Sequence, residues 1–172
     1  MAIRYWLVVQ PLDRARRQIE GGYLQLPRGR REGLAQMREA DGLVLYSPRR
    51  SNPDGEALRA FVGAGRVEDA EAYGAPLRPG GPVLWRRRVR WSADVVPAPV
   101  RPLRDALELT RSRFWGERLR DGLVELSRRD FEIVAGALAR PAPEPSRLGM
   151  GLVRPAPPER PAGDPVVLDD PW

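Results

Sequence analysis

The side chains able to do chemistry in this chain are aromatics, arginines and carboxylates. Histidine, cysteine and lysine are absent from all 172 residues. That excludes Ser–His, Cys–His and Ser–Lys nucleophile pairs, Schiff-base lysines and P-loop lysines. A zinc site would have to be built from carboxylates alone, a donor set that metal seldom accepts, so neither a metal nor a cofactor is expected. Glu20, Asp41 and Asp54 are not paired at an informative spacing, and without imidazole the usual proton shuttle is missing. The composition therefore favours a binding module over an enzyme. Two other readings stay open: a protein-interaction or oligomerisation module, and a nucleotide hydrolase working through carboxylates.

What the chain does offer suits a flat, anionic ligand. Five Trp stand against three Phe, an unusual balance for a plain core. Trp6, Tyr23, Tyr46, Trp85, Trp91 and Trp115 are candidate walls for a stacked base, and Gln25 and Ser47 are candidate readers of its edge. For any one Trp taken alone, core packing is the commoner role. All 29 basic residues are Arg, a usage that codon bias in a GC-rich genome explains, but the sign of the charge has a location. Residues 1–140 hold 26 Arg against 18 acids, whereas 141–172 hold 3 Arg against 5 acids. Guanidinium groups grip phosphates in a fixed fork and stack on bases, so the basic excess points to nucleic acid. Arg28, Arg30, Arg49, Arg86 and Arg87 are the candidate phosphate contacts.

The elements that must position these residues are short. Residues 3–9 read as a strand with Tyr5, Leu7 and Val9 on one face and Trp6 and Val8 on the other. Leu12, Ala15 and Ile19 give a surface helix a narrow apolar stripe, stopped by Gly21-Gly22, glycines that also let backbone N–H groups approach a ligand. Leu34 and Met37 mark a second short helix. Leu43–Pro48 is a β-prone apolar run that delivers Tyr46, Ser47 and Pro48 at a strand exit. Residues 49–55 are turn chemistry throughout. Residues 58–67 predict a strand bulged near Gly63 and Gly65, and 68–81 a loop. Leu84–Trp91 alternates most clearly, with Trp85, Arg87, Val89 and Trp91 on one face. Residues 103–107 suggest one helical turn, 114–116 an aromatic turn and 123–126 a strand. Ser127 and Asp130 form a capping box ahead of the stripe Phe131, Val134, Ala135 and Leu138.

Nine of the nineteen prolines lie in 141–172, where the apolar residues have no period, so a disordered tail is expected there, behind one domain at 1–140. No segment approaches the roughly 20 apolar residues of a membrane span, and the N-terminus does not read as a secretory signal. A cytoplasmic protein is the expectation.

Gly21-Gly22-Tyr23-Leu24-Gln25, Gly29-Arg30, Leu34, Arg38, Asp41-Gly42 and Tyr46-Ser47-Pro48 together resemble the EVE domain family. Tyr5-Trp6, the positions Gly55, Phe61, Gly65 and Val67, Trp85-Arg86-Arg87, Trp115-Gly116 and 122–126 with Asp130-Phe131 extend the resemblance over residues 3–138. Arg28-Gly29-Arg30 stands where the family commonly has His-Gly-Lys, and Arg88 where it has an acid. Both departures keep or raise positive charge. The resemblance implies an α+β fold, a PUA-like curled mixed β-barrel with short flanking helices, related to YTH and ASCH domains. It also implies recognition of a modified base of DNA or RNA, without catalysis. The expected base pocket is Trp6, Gly22, Tyr23, Gln25, Tyr46, Ser47, Pro48, Trp85 and Trp115, converging on a single cleft ringed by arginines.

Overall fold

The structure is a computed structural model that describes residues 2–139; the expected tail at 141–172 lies outside the described residues. The strands are β1 (Tyr5–Val9), β2 (Tyr23–Leu24), β3 (Gly42–Arg49), β4 (Ala57–Val67), β5 (Tyr73–Pro76), β6 (Val83–Trp91), β7 (Ala98–Pro99) and β8 (Leu123–Leu126). The helices are α1 (Leu12–Gly21), α2 (Arg31–Ala35), α3 (Val100–Leu103), α4 (Trp115–Arg118) and α5 (Arg128–Ala139), with 3₁₀ turns at Pro27–Gly29 and Leu119–Asp121. The strands form one curled, mixed half-barrel sheet in the order β2-β6-β4-β3-β1-β8, with β5 beside β6 and β7 beside β4. The fold is α+β. The β1–β3 pair is parallel and the other pairs are antiparallel. The stretch from α1 to α2 serves as the crossover that a parallel pair requires.

Strand β3 is buried from Gly42 to Ser47. Leu43 and Leu45 face one core with Trp6, Val8, Leu24, Leu26, Leu34 and Val62, while Val44 and Tyr46 face another with Leu7, Phe61, Leu107, Val134 and Leu138. The two faces of β1 divide as its alternation predicts. α2 packs over the first core through Leu34, and α5 over the second through Phe131, Val134 and Leu138. Each of these side chains contributes roughly 1.5–3 kcal/mol by leaving water. α2 bridges the two ends of the curled sheet: a side-chain carbon added to its Gly33 would lie 2.4 Å from Leu26, just past β2, and 3.0 Å from Leu123 of β8.

Four details depart from the sequence reading. The segment 68–81 contains β5, whose Tyr73-Gly74-Ala75-Pro76 is too short and too rich in small residues to advertise a strand. The helical turn expected at 103–107 forms earlier, at α3, where Pro102 sits in the first turns and tolerates its missing N–H. The aromatic turn at 114–116 runs on into α4. The capping box is half made. Ser127 Oγ accepts from the Asp130 N–H at 3.1 Å, but the Asp130 carboxylate turns away to accept from the Glu108 and Leu109 N–H groups, both at 2.8 Å.

Arg87 is the largest correction to the candidate phosphate contacts. Its place beside Trp85, Val89 and Trp91 in the alternation turns it inward, and it is 1% exposed. Its Nε donates to Asp69 Oδ1 at 2.6 Å and its Nη2 to the Asp69 carbonyl at 2.6 Å. Nη1 donates to the carbonyls of Leu34 at 3.0 Å and Met37 at 2.7 Å, at and just past the end of α2. One guanidinium thus ties α2, the turn after β4 and β6 together. Arg87→Ala is expected to cost about 3–5 kcal/mol in urea unfolding, because it removes the cationic partner of the partly buried Asp69 carboxylate and a donor from the Met37 carbonyl. Arg87→Lys should recover only part, since a point charge cannot reproduce the fork.

Candidate functional site

Three glutamines build the floor of a groove beside α1. Gln10 and Gln18 are buried on facing elements, and the Gln10 Nε2 donates to Gln18 Oε1 at 3.1 Å and to the Gln25 carbonyl at 2.9 Å. Gln18 Oε1 in turn accepts from the Gln25 N–H at 2.9 Å. A buried polar network with its members satisfied fixes geometry, and here it fixes the backbone that carries the Gln25 side chain. Gln25 Oε1 accepts from Arg86 Nε at 3.1 Å, and the Arg86 guanidinium lies 3.9 Å from the Tyr23 ring centre. The Gln25 amide N–H₂ has no protein partner among the described residues. Arg14, Arg17, Arg28, Leu77 and Leu84 complete a groove of about 410 Å³. Arg28 and Gly29 adopt φ of 63° and 64° in succession, which aims the loop at the groove. Gly29 has no room for a side chain, because a Cβ there would lie 2.7 Å from Leu84.

A second, larger cleft of about 750 Å³ opens at the exit of β3 and shares no lining residue with the groove. Tyr46, Pro48 and Trp115 line it, with Arg59, Arg101, Arg104 and Arg120 around them and no carboxylate in its lining. The rings of Tyr46 and Trp115 are 6.5 Å apart and 72° from parallel, so they cannot sandwich one flat ligand between them. Tyr46 is 3% exposed, and its hydroxyl has no protein hydrogen-bond partner among the described residues. Burial pushes its phenol above the usual tyrosine range, with Arg59 opposing, so the hydroxyl stays protonated at neutral pH. Arg59 sits at φ 51° where the β3–β4 register slips. A non-glycine residue in that region stores on the order of 1–3 kcal/mol. Asp130 and Thr110 hold the loop that carries Arg104: Thr110 Oγ1 donates to the Arg104 carbonyl, and to the Leu107 carbonyl at 3.1 Å.

No known family model matches the chain. Curated relatives do. The chain is 38% identical over 136 residues to a UPF0310 protein of Renibacterium salmoninarum, covering 78% of this chain and 94% of that one. The chain belongs to the UPF0310 family. A UPF0310 protein of Mycolicibacterium vanbaalenii is 34% identical over 137 residues, covering 79% and 93%. Among solved structures, one from Rhodopseudomonas palustris shares the fold of this UPF0310 chain, with a TM-score of 0.52 and 16% identity over 79% of this chain and 93% of that one. A hypothetical protein from Leishmania major gives 0.51 and 14% over 78% and 94%. At those identities the likeness speaks for fold alone. Among the described residues no helix is long and apolar enough to cross a membrane, and no cluster of acids is arranged to hold a metal ion.

The expected single pocket is divided in this UPF0310 chain. Tyr23 and Gln25, with Arg28 and Arg86, line the groove; Tyr46, Pro48 and Trp115 line the cleft. Trp6 lines neither, because its indole is packed in the first core and its Nε1 donates to the buried Asp41 carboxylate at 2.9 Å. Asp41 also accepts from the Arg4 and Arg38 N–H groups, each at 3.0 Å, which makes it a structural anchor. Trp85 packs against the same core under the Arg31 guanidinium, 4.3 Å from its ring centre. Trp91 donates from Nε1 to the Gln18 carbonyl at 3.2 Å. Gly22, at φ 68°, ends α1, and its carbonyl accepts from the Val89 N–H at 3.0 Å. Ser47 is fully buried with its hydroxyl unpartnered, and strand alternation places it on the face opposite Tyr46, away from the cleft. Arg30 donates to the Asp121 carbonyl and Arg49 to the Gly55 carbonyl, both at 3.2 Å, so each braces a loop.

Arg59, Arg101, Arg104 and Arg120 were invisible to motif reading, since Arg59 lies in β4, Arg101 and Arg104 in and at the end of α3, and Arg120 in the 3₁₀ turn 119–121, far apart along the chain. The only local hint is the i, i+3 spacing of Arg101 and Arg104 around Pro102. Because Trp6 is an anchor, Trp6→Phe should lower stability by about 1–3 kcal/mol by removing one donor from Asp41. Oligonucleotide affinity of the folded variant should equal that of the parent in a filter-binding titration.

Proposed function

We propose that this UPF0310 protein is a non-enzymatic module that captures a modified base of DNA or RNA in the Tyr23–Gln25 groove, as its resemblance to the EVE family implies. One observation carries the reading: Tyr23, Arg86, Gln25 and Arg28 meet in a single groove of a size that holds small ligands, about 300–1,000 Å³. The Arg86 guanidinium carbon lies 3.9 Å from the Tyr23 ring centre and its Nε is held by Gln25 Oε1. Tyrosine and arginine together make a preformed planar platform, and bases stack on guanidinium planes as well as on aromatic rings. The free amide N–H₂ of Gln25 supplies a donor for an acceptor on the base edge. Arg14 and Arg28 at the rim attract the phosphates on either side, a sequence-independent contribution that weakens with salt.

Capture without turnover follows from the lining: aromatic, amide, aliphatic and arginine side chains, with no carboxylate or imidazole to move a proton. The same lining speaks against a carboxylate-based nucleotide hydrolase. Affinity for oligonucleotides carrying one modified base should fall by about 1–3 kcal/mol in Tyr23→Ala, the worth of one stacked base. Arg86→Lys should fall almost as far as Arg86→Ala, because an ammonium cannot offer a stacking plane. Gln25→Leu should reduce the preference between modified and unmodified bases more than the affinity itself. Isothermal titration of a panel of modified oligonucleotides tests all three. Unchanged binding in Tyr23→Ala would move recognition out of the groove.

A further inference from the structure

We propose that the cleft at the exit of β3 is a second ligand site, separate from the base-reading groove, that takes a nucleotide carrying at least two phosphate charges. The cleft has two halves of different chemistry. Val9, Leu58, Val100, Leu119 and the Trp115 ring give it an apolar half. Arg59, Arg101, Arg104 and Arg120 give it a cationic half, and none of the four pairs with a carboxylate among the described residues. Arg4, Arg50, Arg87 and Arg128 pair with Glu125, Glu56, Asp69 and Glu132, but many arginines of this chain carry no such pair, and what sets Arg59, Arg101, Arg104 and Arg120 apart is that they surround one cavity. Four uncompensated guanidinium groups around one cavity repel one another unless an anion joins them, and bidentate arginine–phosphate pairing is the strongest way to do so.

The Tyr46 phenol adds a polar group to the cleft. The ring is 3% exposed and lines the cavity, and its hydroxyl is not among the buried atoms left without a partner, so it meets the solvent of the cleft and can donate to a ligand there. Trp115 stands edge-on to Tyr46, so it can stack a base on its open face while Tyr46 meets the edge of that base from the floor. A single phosphate would satisfy the arginines only in part, and a bare nucleoside would leave all four unmatched. A nucleoside di- or triphosphate, or the phosphorylated end of a strand, matches both halves.

Gly116 provides a steric test that touches no charge. It lines the cleft, and a Cβ added to it would meet nothing within 4 Å, so Gly116→Leu adds bulk at the cleft from an open position, with the melting temperature of the free variant as the check on its fold. Titration calorimetry with ATP, pyrophosphate and adenosine should show ATP binding tightest, pyrophosphate weaker and adenosine weakest. Arg101→Gln/Arg104→Gln should weaken ATP at least about tenfold, the loss of one to two charge-assisted contacts, and Gly116→Leu should weaken ATP more than pyrophosphate. In the absence of ligand the double arginine variant should melt at or above the parent temperature, because repulsion is relieved, and should lose the rise that ATP gives the parent. Oligonucleotides with 5′-triphosphate and 5′-hydroxyl ends tell a strand terminus from a free nucleotide. Tyr23→Ala should leave ATP binding intact, which separates this site from the groove. Absence of measurable ATP and pyrophosphate binding, or ATP binding that survives both the arginine and the Gly116 variants, overturns the proposal and leaves the groove reading untouched.

Discussion

A central strand buried on both faces governs this molecule. β3 has a core above it and a core below it, and its neighbours β1 and β4 satisfy its backbone on both edges. Such a strand has no freedom to shift by one residue, since a slip would exchange the two sets of side chains between cores of different shape. It can offer side chains to solvent only where it leaves the sheet. Tyr46 and Pro48 occupy that exit, and the larger cleft forms there. The groove lies where β2 joins β6 and the buried glutamines of α1 and of the turn after β1 meet.

Arginine serves this fold in three ways, and the difference lies in the surroundings. Arg87 is sealed inside and spends its donors on Asp69 and on the end of α2. Its desolvation is tolerable because every direction of the guanidinium fork meets an acceptor. Arg86, one residue earlier and on the opposite face of β6, is half-buried against Tyr23 and Gln25. Arg59, Arg101, Arg104 and Arg120 surround a cavity without a counter-charge. Charge alone therefore says little about which arginines meet a phosphate. A guanidinium with all its donors used serves the fold, and one with its donors free beside a cavity is available to a ligand.

The wall of the larger cleft that carries Arg104 is braced by groups that never enter it. Asp130 gives up the reciprocal half of its helix cap to hold the backbone at Glu108 and Leu109, and Thr110 ties the same segment to Arg104 and Leu107. The groove is braced in the same manner by Gln10 and Gln18. In each case a buried polar group that a sequence reading would assign to local structure is used at long range. The tertiary contact wins because an unpaired N–H inside the protein costs more than a helix end left to water.

The sequence by itself determined the secondary-structure periods, and with them the fold class. Alternation in β1 and β6, the apolar run of β3 and the stripes of α1 and α5 each place their residues on the correct face, while β4, which alternates poorly, reads as a strand from its small and β-prone residues. That information is local and needs only the pleat of a strand or the turn of a helix. It also confined the candidate chemistry to aromatics, arginines and carboxylates by leaving out histidine, cysteine and lysine. The tertiary structure decided which of those residues share a space. It sent Trp6 to Asp41, turned Arg87 inward, set Ser47 on the far side of its strand from Tyr46, and divided one expected pocket into two. It also brought together four arginines from a strand, a short helix and its end, and a 3₁₀ turn. Those outcomes depend on how a curled sheet and its helices pack, a matter of distances between residues dozens of positions apart, and no period along the chain records such distances.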